Sequence, residues 1–184
     1  MRGRFAGTGG QGNQQGEGDS THAYLLSNSR AMRSTRGWPF KLQPHCSYPL
    51  WMNWLVKEEP DNYSFSQFAA DKTTVWAGVK NPVAQRNLRA MAKGDRVFFY
   101  HTGKEKAIVG TAMVSKTAYP DPKDKSGNLV VVELAAGKAL KRPVTLKEIK
   151  ADKRFASMPL VRIARLSVQP VTDEEWELIE LLAN

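Results

Sequence analysis

The chain has 184 residues, of which 41% are apolar, and it carries a formal net charge of +9. This length fits one domain with an additional segment, and no run of about 18 apolar residues could span a bilayer. The positive charge favours polyanionic partners, although it says nothing about the fold. Cys46 is the only cysteine, which excludes an internal disulfide or a cysteine-rich zinc site and fits a reducing compartment.

Residues 1–51 and 52–184 differ in composition. The first part contains a Gly- and Gln-rich stretch without hydrophobic periodicity, and its six basic and two acidic side chains give it a charge of +4. Such a composition buries too little apolar surface to offset the entropy of folding, so we predict a disordered basic extension. Met52 resembles a natural start, which makes residues 1–51 either a dispensable extension or an upstream mis-start. Residues 52–184, with a charge of +5, are the predicted domain.

The first half of the domain combines strand and helix signals. A short strand is predicted at Asn53–Lys57, and Ser64 is suited to cap a brief helix. A second helix is predicted to begin at Asn81–Pro82 and to run to about Ala92, because asparagine accepts from free amides and proline tolerates the first turn.

The residues Arg96–Thr102 alternate as a strand does. This phase places His101 on the same face as Val97 and Phe99, and it places Tyr100 and Thr102 on the opposite face. Tyr100, His101 and Thr102 therefore line one pocket only if the strand ends or bulges there.

The second half of the domain is predicted to be richer in strands than in helices. Further strands are expected at Ala107–Ser115, Leu129–Ala135 and Ile163–Val168. Capping boxes at Thr145/Glu148 and Thr172/Glu175 begin short helices, the last of which points Trp176 and Ile179 inward. With no proline expected inside a strand, these elements predict an α+β domain. Its architecture is a mostly antiparallel, twisted sheet or small β-barrel with peripheral short helices.

Catalytic signals are scarce in the domain. His101 is its only histidine, and no His/Cys cluster, Gly-x-Ser-x-Gly elbow or phosphate-binding glycine loop is visible. We therefore expect no enzyme activity, no metal and no cofactor. A nucleic acid or nucleotide hydrolase that uses His101 remains an alternative.

Aromatic and amide side chains suggest a binding site instead. Trp54 and Trp76 lie in short strands or turns, Gly78 permits close approach of the backbone, and Asn81 offers a donor and an acceptor. An aromatic wall with an amide is suited to hold an unstacked base and to recognise its edge. A position in the core is the alternative for both tryptophans, and it is the commoner one for this residue type.

Basic residues follow the proposed wall. Arg86, Arg89 and Lys93 are spaced to share one helix face, and Lys80 lies next to the proposed pocket. These cations are suited to contact phosphates, although a solvated helix face has the same pattern.

Five segments together resemble the EVE domain family. They are Trp54–Pro60 (WLVKEEP), Trp76–Asn81 (WAGVKN), Gly94–His101 (GDRVFFYH), Ala118–Asp121 (AYPD) and Arg165–Val171 (RLSVQPV). The resemblance covers about residues 53–183 and implies a PUA-like β-barrel, related to YTH domains, that recognises modified bases in DNA or RNA. By this resemblance the pocket positions are Trp54, Trp76, Asn81, Tyr100, His101 and Ser167, with Lys57 close by.

The sequence departs from the family pattern at a few positions. Ala77 stands where the family usually has aspartate, and Lys80 stands where arginine is usual. The change to lysine loses the planar bidentate fork of arginine. Thr102 stands where serine is frequent and keeps the hydroxyl group.

We therefore predict a non-catalytic module that binds nucleic acid carrying a modified base, such as a modified cytosine or adenine. Trp54 and Trp76 would wall the pocket, while Asn81, Thr102 and Ser167 would recognise polar edges. Replacing Trp76 by alanine is then expected to abolish modified-base binding while leaving the fold largely intact. The side chains predicted to hold the backbone are Lys57, Lys80, Arg86 and Arg89.

Three further expectations complete this prediction. The alternatives are a PUA-type RNA-binding domain without dependence on a modification and a protein-interaction domain whose basic face is incidental. We expect a cytoplasmic protein in a bacterium or a nuclear one in a eukaryote, neither secreted nor membrane-bound. The sequence does not fix the oligomeric state, although a monomer is favoured.

Overall fold

The computed structural model describes residues 52–184, which form six strands and five α-helices. The strands are β1 (Asn53–Glu58), β2 (Thr73–Trp76), β3 (Arg96–His101), β4 (Ala107–Pro120), β5 (Val130–Thr145) and β6 (Val168–Val171). The helices are α1 (Phe65–Asp71), α2 (Pro82–Ala90), α3 (Leu146–Ala151), α4 (Pro159–Arg162) and α5 (Asp173–Ala183), with a 3₁₀ turn at Lys153–Phe155. None of these helices has the length and apolar character needed to cross a membrane.

All six strands belong to one sheet, in the order β2-β5-β4-β3-β1-β6. Only β1 and β3 are parallel, with Trp54 opposite Val97, and every other neighbouring pair is antiparallel. The predicted α+β class with a mostly antiparallel, twisted sheet is confirmed. The sheet is not closed into a barrel, however, because the short outer strands β2 and β6 each pair with one neighbour and not with each other.

The sheet carries a hydrophobic core on each face, as the alternation of β3 predicts. Val97 and Phe99 belong to one cluster, in which Phe99 stacks on Phe68 with ring centroids 5.5 Å apart. Phe98 and Tyr100 belong to the other cluster. There the ring of Trp176 from α5 stacks on Phe98 at 3.7 Å, which confirms the predicted inward face of that helix.

Local capping signals place most of the helix starts correctly. Ser64 caps α1, Asn81 caps α2, and Thr145 and Thr172 form the two predicted capping boxes. Each cap supplies an acceptor to a free N-terminal amide, which is typically worth about 1 kcal/mol.

Several predictions about the secondary structure are wrong, among them the ends of β4 and β5, which run on to Pro120 and Thr145 rather than to Ser115 and Ala135. Helix α2 ends at Ala90 rather than at about Ala92, because Met91 already has extended backbone angles. The segment predicted as a strand at Ile163–Val168 is a turn that follows α4, and pairing with β1 starts only at Val168. Prolines also occur inside strands: Pro170 lies in the edge strand β6, where a missing N–H is tolerated, and Pro143 lies near the end of β5.

Candidate functional site

The segment Trp76–Asn81 connects the end of β2 to the start of α2. Gly78 has a positive φ of 78°, a conformation that favours glycine, and the space around it is open. The side-chain oxygen of Asn81 accepts the amides of Val83 and Ala84 at 2.9 and 3.1 Å. The cap uses this oxygen, so the NH₂ group of Asn81 is the part that remains to meet a ligand.

Gln85 on α2 holds this segment in place. Its side chain is 4% exposed, and its NH₂ group donates to the carbonyls of Val79 at 2.8 Å and Val130 at 3.0 Å. Its oxygen accepts the amide of Val130 at 2.9 Å. Gln85 thus connects the segment to the start of β5. Sequence reasoning missed this role, although a glutamine between the buried Ala84 and Leu88 of α2 is the signal that could have revealed it.

The two predicted wall residues are both deeply buried. Trp54 is 2% exposed, and its indole N–H donates to the carboxylate of Asp95 at 2.8 Å. Trp76 is 5% exposed and meets Phe99 edge to face at 5.6 Å. Removing such a side chain typically costs about 3–5 kcal/mol. Trp76→Ala is therefore expected to destabilise the domain, so this variant does not separate a loss of binding from a loss of folding.

His101 is anchored through both ring nitrogens. Its Nε2 accepts the backbone amide of Phe65 at 3.0 Å, and its Nδ1 lies 2.6 Å from a carboxylate oxygen of Glu105. This network assigns the proton to Nδ1, which donates to Glu105. The bond from the Phe65 amide joins the start of α1 to β3. Because this bond occupies the Nε2 lone pair, the imidazole offers no free base for hydrolysis.

The sheet separates the predicted pocket residues into two groups. Trp76 and His101 lie on the face of Phe99, whereas Tyr100 belongs to the core on the opposite face. The predicted site is therefore not one pocket. Ser167 lies beside β1, where its carbonyl accepts the amide of Lys57 at 2.9 Å.

Tyr100 and Thr102, together with Lys57, line a cleft of about 310 Å³ at the carboxyl ends of the parallel strands β1 and β3. We call it the lysine cleft; its lining residues are Lys57, Tyr100, Thr102, Gly103, Lys106, Leu146, Lys150, Leu160, Val161 and Ala164. Lys57 Nζ donates to the carbonyl of Ala164 at 3.1 Å and lies 5.7 Å from the centre of the Tyr100 ring. Burial lowers the pKa of Lys57 to about 8 and raises the pKa of Tyr100 to about 12.

The cations predicted to hold the backbone are in different situations. Lys80 and Arg86 are exposed near the start of α2. Arg89 instead donates to the carbonyl of Asn128 at 2.6 Å and so ties α2 to the loop between β4 and β5. Lys93 lies beyond the end of α2 and does not continue its basic face.

The loop between β4 and β5 is internally ordered by Asp124. Its carboxylate accepts the amides of Ser126, Asn128 and Leu129 at 2.8–3.0 Å. These bonds, of which the one from Leu129 has the largest effect, lower the pKa of Asp124 to about 2. The loop carries exposed lysines at positions 123 and 125 beside the α2 contact.

Comparison with known proteins identifies the family. The EVE domain model matches residues 52–182. The chain belongs to the EVE domain family. Thymocyte nuclear protein 1 of Rattus norvegicus is 32% identical over 197 residues, covering 89% of this chain and 84% of the relative. The human protein is 31% identical over 169 residues, covering 73% and 75%.

Solved structures share the fold of this EVE domain. Rpa0253 from Rhodopseudomonas palustris is 47% identical, with a TM-score of 0.69, and the match covers 72% of this chain and 92% of that one. Human THYN1, solved in complex with 5-methylcytosine containing DNA, is 30% identical with a TM-score of 0.68. That match covers 72% of this chain and 98% of the human one.

Within this EVE domain, the two departures from the family pattern lie on the surface. Ala77 and Lys80 are both exposed in the Trp76–Asn81 segment. These two residues therefore change the surface of the segment and leave the core unaltered.

Proposed function

We propose that this EVE domain is a non-catalytic nucleic-acid-binding module that recognises a modified base, with 5-methylcytosine as the first candidate. The observation that carries the proposal is the similarity to human THYN1, whose structure contains 5-methylcytosine DNA. The excess positive charge of the domain supports a polyanionic partner. Such a module would act on nucleic acid in the cytoplasm of a bacterium or in the nucleus of a eukaryote.

The Trp76–Asn81 segment is the proposed base site. Trp76 would form its apolar wall, and the NH₂ group of Asn81 would donate to the edge of the base. Lys80 and Arg86, both exposed, would contact the flanking phosphates. Trp54 and His101 would support the site from the core, since their hydrogen bonds join the strands and helix beneath it.

Matched oligonucleotides that differ in a single methyl group test this proposal. A methyl group in an apolar pocket is worth roughly 1–3 kcal/mol, so we expect the wild type to bind the 5-methylcytosine oligonucleotide about 10-fold or more tightly than the cytosine one. Trp76→Phe keeps a buried aromatic ring but changes the wall, and should reduce this preference severalfold in a fluorescence titration.

Trp176→Phe is the matched control. It is the same substitution at a tryptophan buried on the opposite face of the sheet. It should lower thermal stability without changing the preference for the methylated base. A preference that survives Trp76→Phe undiminished would reject the proposed base site. Equal affinity of the wild type for both oligonucleotides would reject recognition of this modification and favour a PUA-type RNA-binding domain.

A further inference from the structure

The lysine cleft combines positive charge with an apolar floor. Three of its ten lining residues are lysines, at positions 57, 106 and 150, and none of the ten is acidic. Leu146, Leu160 and Val161 supply the apolar part of the lining. Its volume of about 310 Å³ is at the lower end of the range for small-ligand sites.

Lys57 distinguishes this cleft from an ordinary solvated group of lysines. Its side chain is only partly exposed, and within residues 52–184 no carboxylate lies within ion-pairing distance of it. The ammonium group has three donors, and the carbonyl of Ala164 takes one. A partly desolvated cation without a counter-ion is unfavourable on its own, and an anion in the cleft would relieve this cost.

The carboxylate of Glu59 lies beside the cleft. One of its oxygens would lie 3.1 Å from a Cβ atom built on Gly103, so it approaches the rim of the cleft. It forms no ion pair with Lys57 within the described part of the chain. The Thr102 hydroxyl adds a neutral donor to the same lining.

We propose that the lysine cleft is a phosphate-binding site, separate from the base site proposed at Trp76–Asn81. A lining that contains three lysines and a threonine matches an anion that offers oxygens in several directions, and lysine binds phosphate as a compact point charge. The site lies on the face of the sheet that carries Tyr100, opposite the face that carries Trp76. Its phosphate is either a phosphodiester within a nucleic acid strand or a terminal phosphate.

Titration of the full chain with inorganic phosphate, at constant ionic strength and pH 7, tests the site. In ¹H–¹⁵N NMR spectra the amides of Thr102, Gly103 and Val161 should shift in a saturable way. Lys57→Met retains the apolar stem and removes the charge, and it should weaken phosphate binding about 10-fold or more. Lys150→Met should weaken it less, because this lysine is exposed.

Lys147→Met is the matched control, since Lys147 is exposed on the same helix as Lys150 but does not line the cleft. It should leave the phosphate affinity unchanged. Shifts that do not saturate, or an affinity that is equal in wild type and Lys57→Met, would overturn the proposal. A thermal unfolding curve for each variant establishes that it is folded.

Oligonucleotides with and without a 5′-phosphate identify the source of the phosphate. A 5′-phosphorylated strand that binds about 10-fold more tightly, with the gain lost in Lys57→Met, supports a terminal phosphate. If the wild type binds both strands with equal affinity, and Lys57→Met weakens the binding of both to the same extent, the phosphate is an internal phosphodiester. In either case the ratio of affinities for methylated and unmethylated cytosine should be unchanged in Lys57→Met. The proposals for the phosphate site and for the base site can therefore be rejected independently of each other.

Discussion

At the scale of single residues, the position of Lys57 in the fold raises the free energy of its charged amine. The side chain follows Leu55 on the face of β1 that packs on the second core, so its stem runs along apolar surface. Burial then favours the neutral amine and lowers the pKa of Lys57 from 10.5 to about 8. The sequence shows this lysine at the end of a strand, but not how far the turn at Ala164 covers it.

This pKa shift predicts how stability depends on pH. The folded protein releases the Lys57 proton near pH 8, whereas the unfolded chain keeps it to about pH 10.5. Because the unfolded state binds more protons between these values, the free energy of unfolding contributed by Lys57 rises with pH across this window. Below pH 8 the charged amine is present in both states, and its desolvation opposes folding in full.

We therefore expect Lys57→Met to be more stable than the wild type at pH 7, with a difference that narrows towards pH 10. Urea denaturation at pH 7.0 and 9.5, in a buffer free of phosphate, measures this difference. Lys147→Met, which removes an exposed lysine, should show no comparable narrowing. If the difference in the free energy of unfolding between Lys57→Met and the wild type were the same at both pH values, the lowered pKa of Lys57 would be contradicted.

At the scale of elements, short-range chemistry was enough to locate helix starts and the phase of β3. Ser64, Asn81, Thr145 and Thr172 each act on amides within three residues, so their signal is complete in the sequence. The alternation of β3 depends only on the period of a strand.

Features that depend on long-range pairing could not be predicted in the same way. β5 continues through Pro143 to Thr145 because β4 pairs with it that far. The lysine cleft likewise brings Lys57, Lys106 and Lys150 together from parts of the chain that are distant in sequence. They become neighbours only through the pairing of β1 with β3 and the packing of the helices that follow β5.

Gln85 gives a prediction at this scale. Its replacement by methionine preserves length but leaves the carbonyls of Val79 and Val130 and the amide of Val130 without their partner. Leaving such groups unpaired costs about 1–3 kcal/mol each where they are buried. We expect Gln85→Met to destabilise the domain and to loosen the Trp76–Asn81 segment. The preference for the methylated base should then fall even though Gln85 makes no contact with it in our proposal.

Hydrogen exchange of the Val130 amide, which donates to Gln85, measures the loss of the anchor, and the two-oligonucleotide titration measures the preference for the methylated base. Arg86→Gln is the control on the same helix, because Arg86 is exposed and belongs to the proposed phosphate contacts. It should weaken the binding of both oligonucleotides equally and leave hydrogen exchange at the Val130 amide unchanged. If Gln85→Met retained the full preference for the methylated base, the segment would not need this anchor.

At the scale of the whole molecule, the open sheet keeps the two proposed sites apart. The base site uses the edge strand β2 and helix α2, and the phosphate site uses the ends of β1 and β3. A nucleic acid strand that reached both would have to pass around the sheet. In this arrangement backbone contacts at each proposed site would contribute affinity, whereas the preference for a modified base would arise only at the base site.

The proposed phosphate contacts would make the affinity for nucleic acid depend on the salt concentration. If about three to five phosphates of a single strand are contacted, the logarithm of the affinity should fall with the logarithm of the salt concentration with a slope of about −2 to −3.5. The double variant Lys80→Gln/Arg86→Gln should make this slope shallower by about 1.4, since each lost phosphate contact contributes about 0.7. Lys147→Gln should not change it. The ratio of affinities for methylated and unmethylated cytosine should stay constant at every salt concentration, because the two strands have the same backbone. Binding without salt dependence would instead favour a protein partner and make the basic surface incidental.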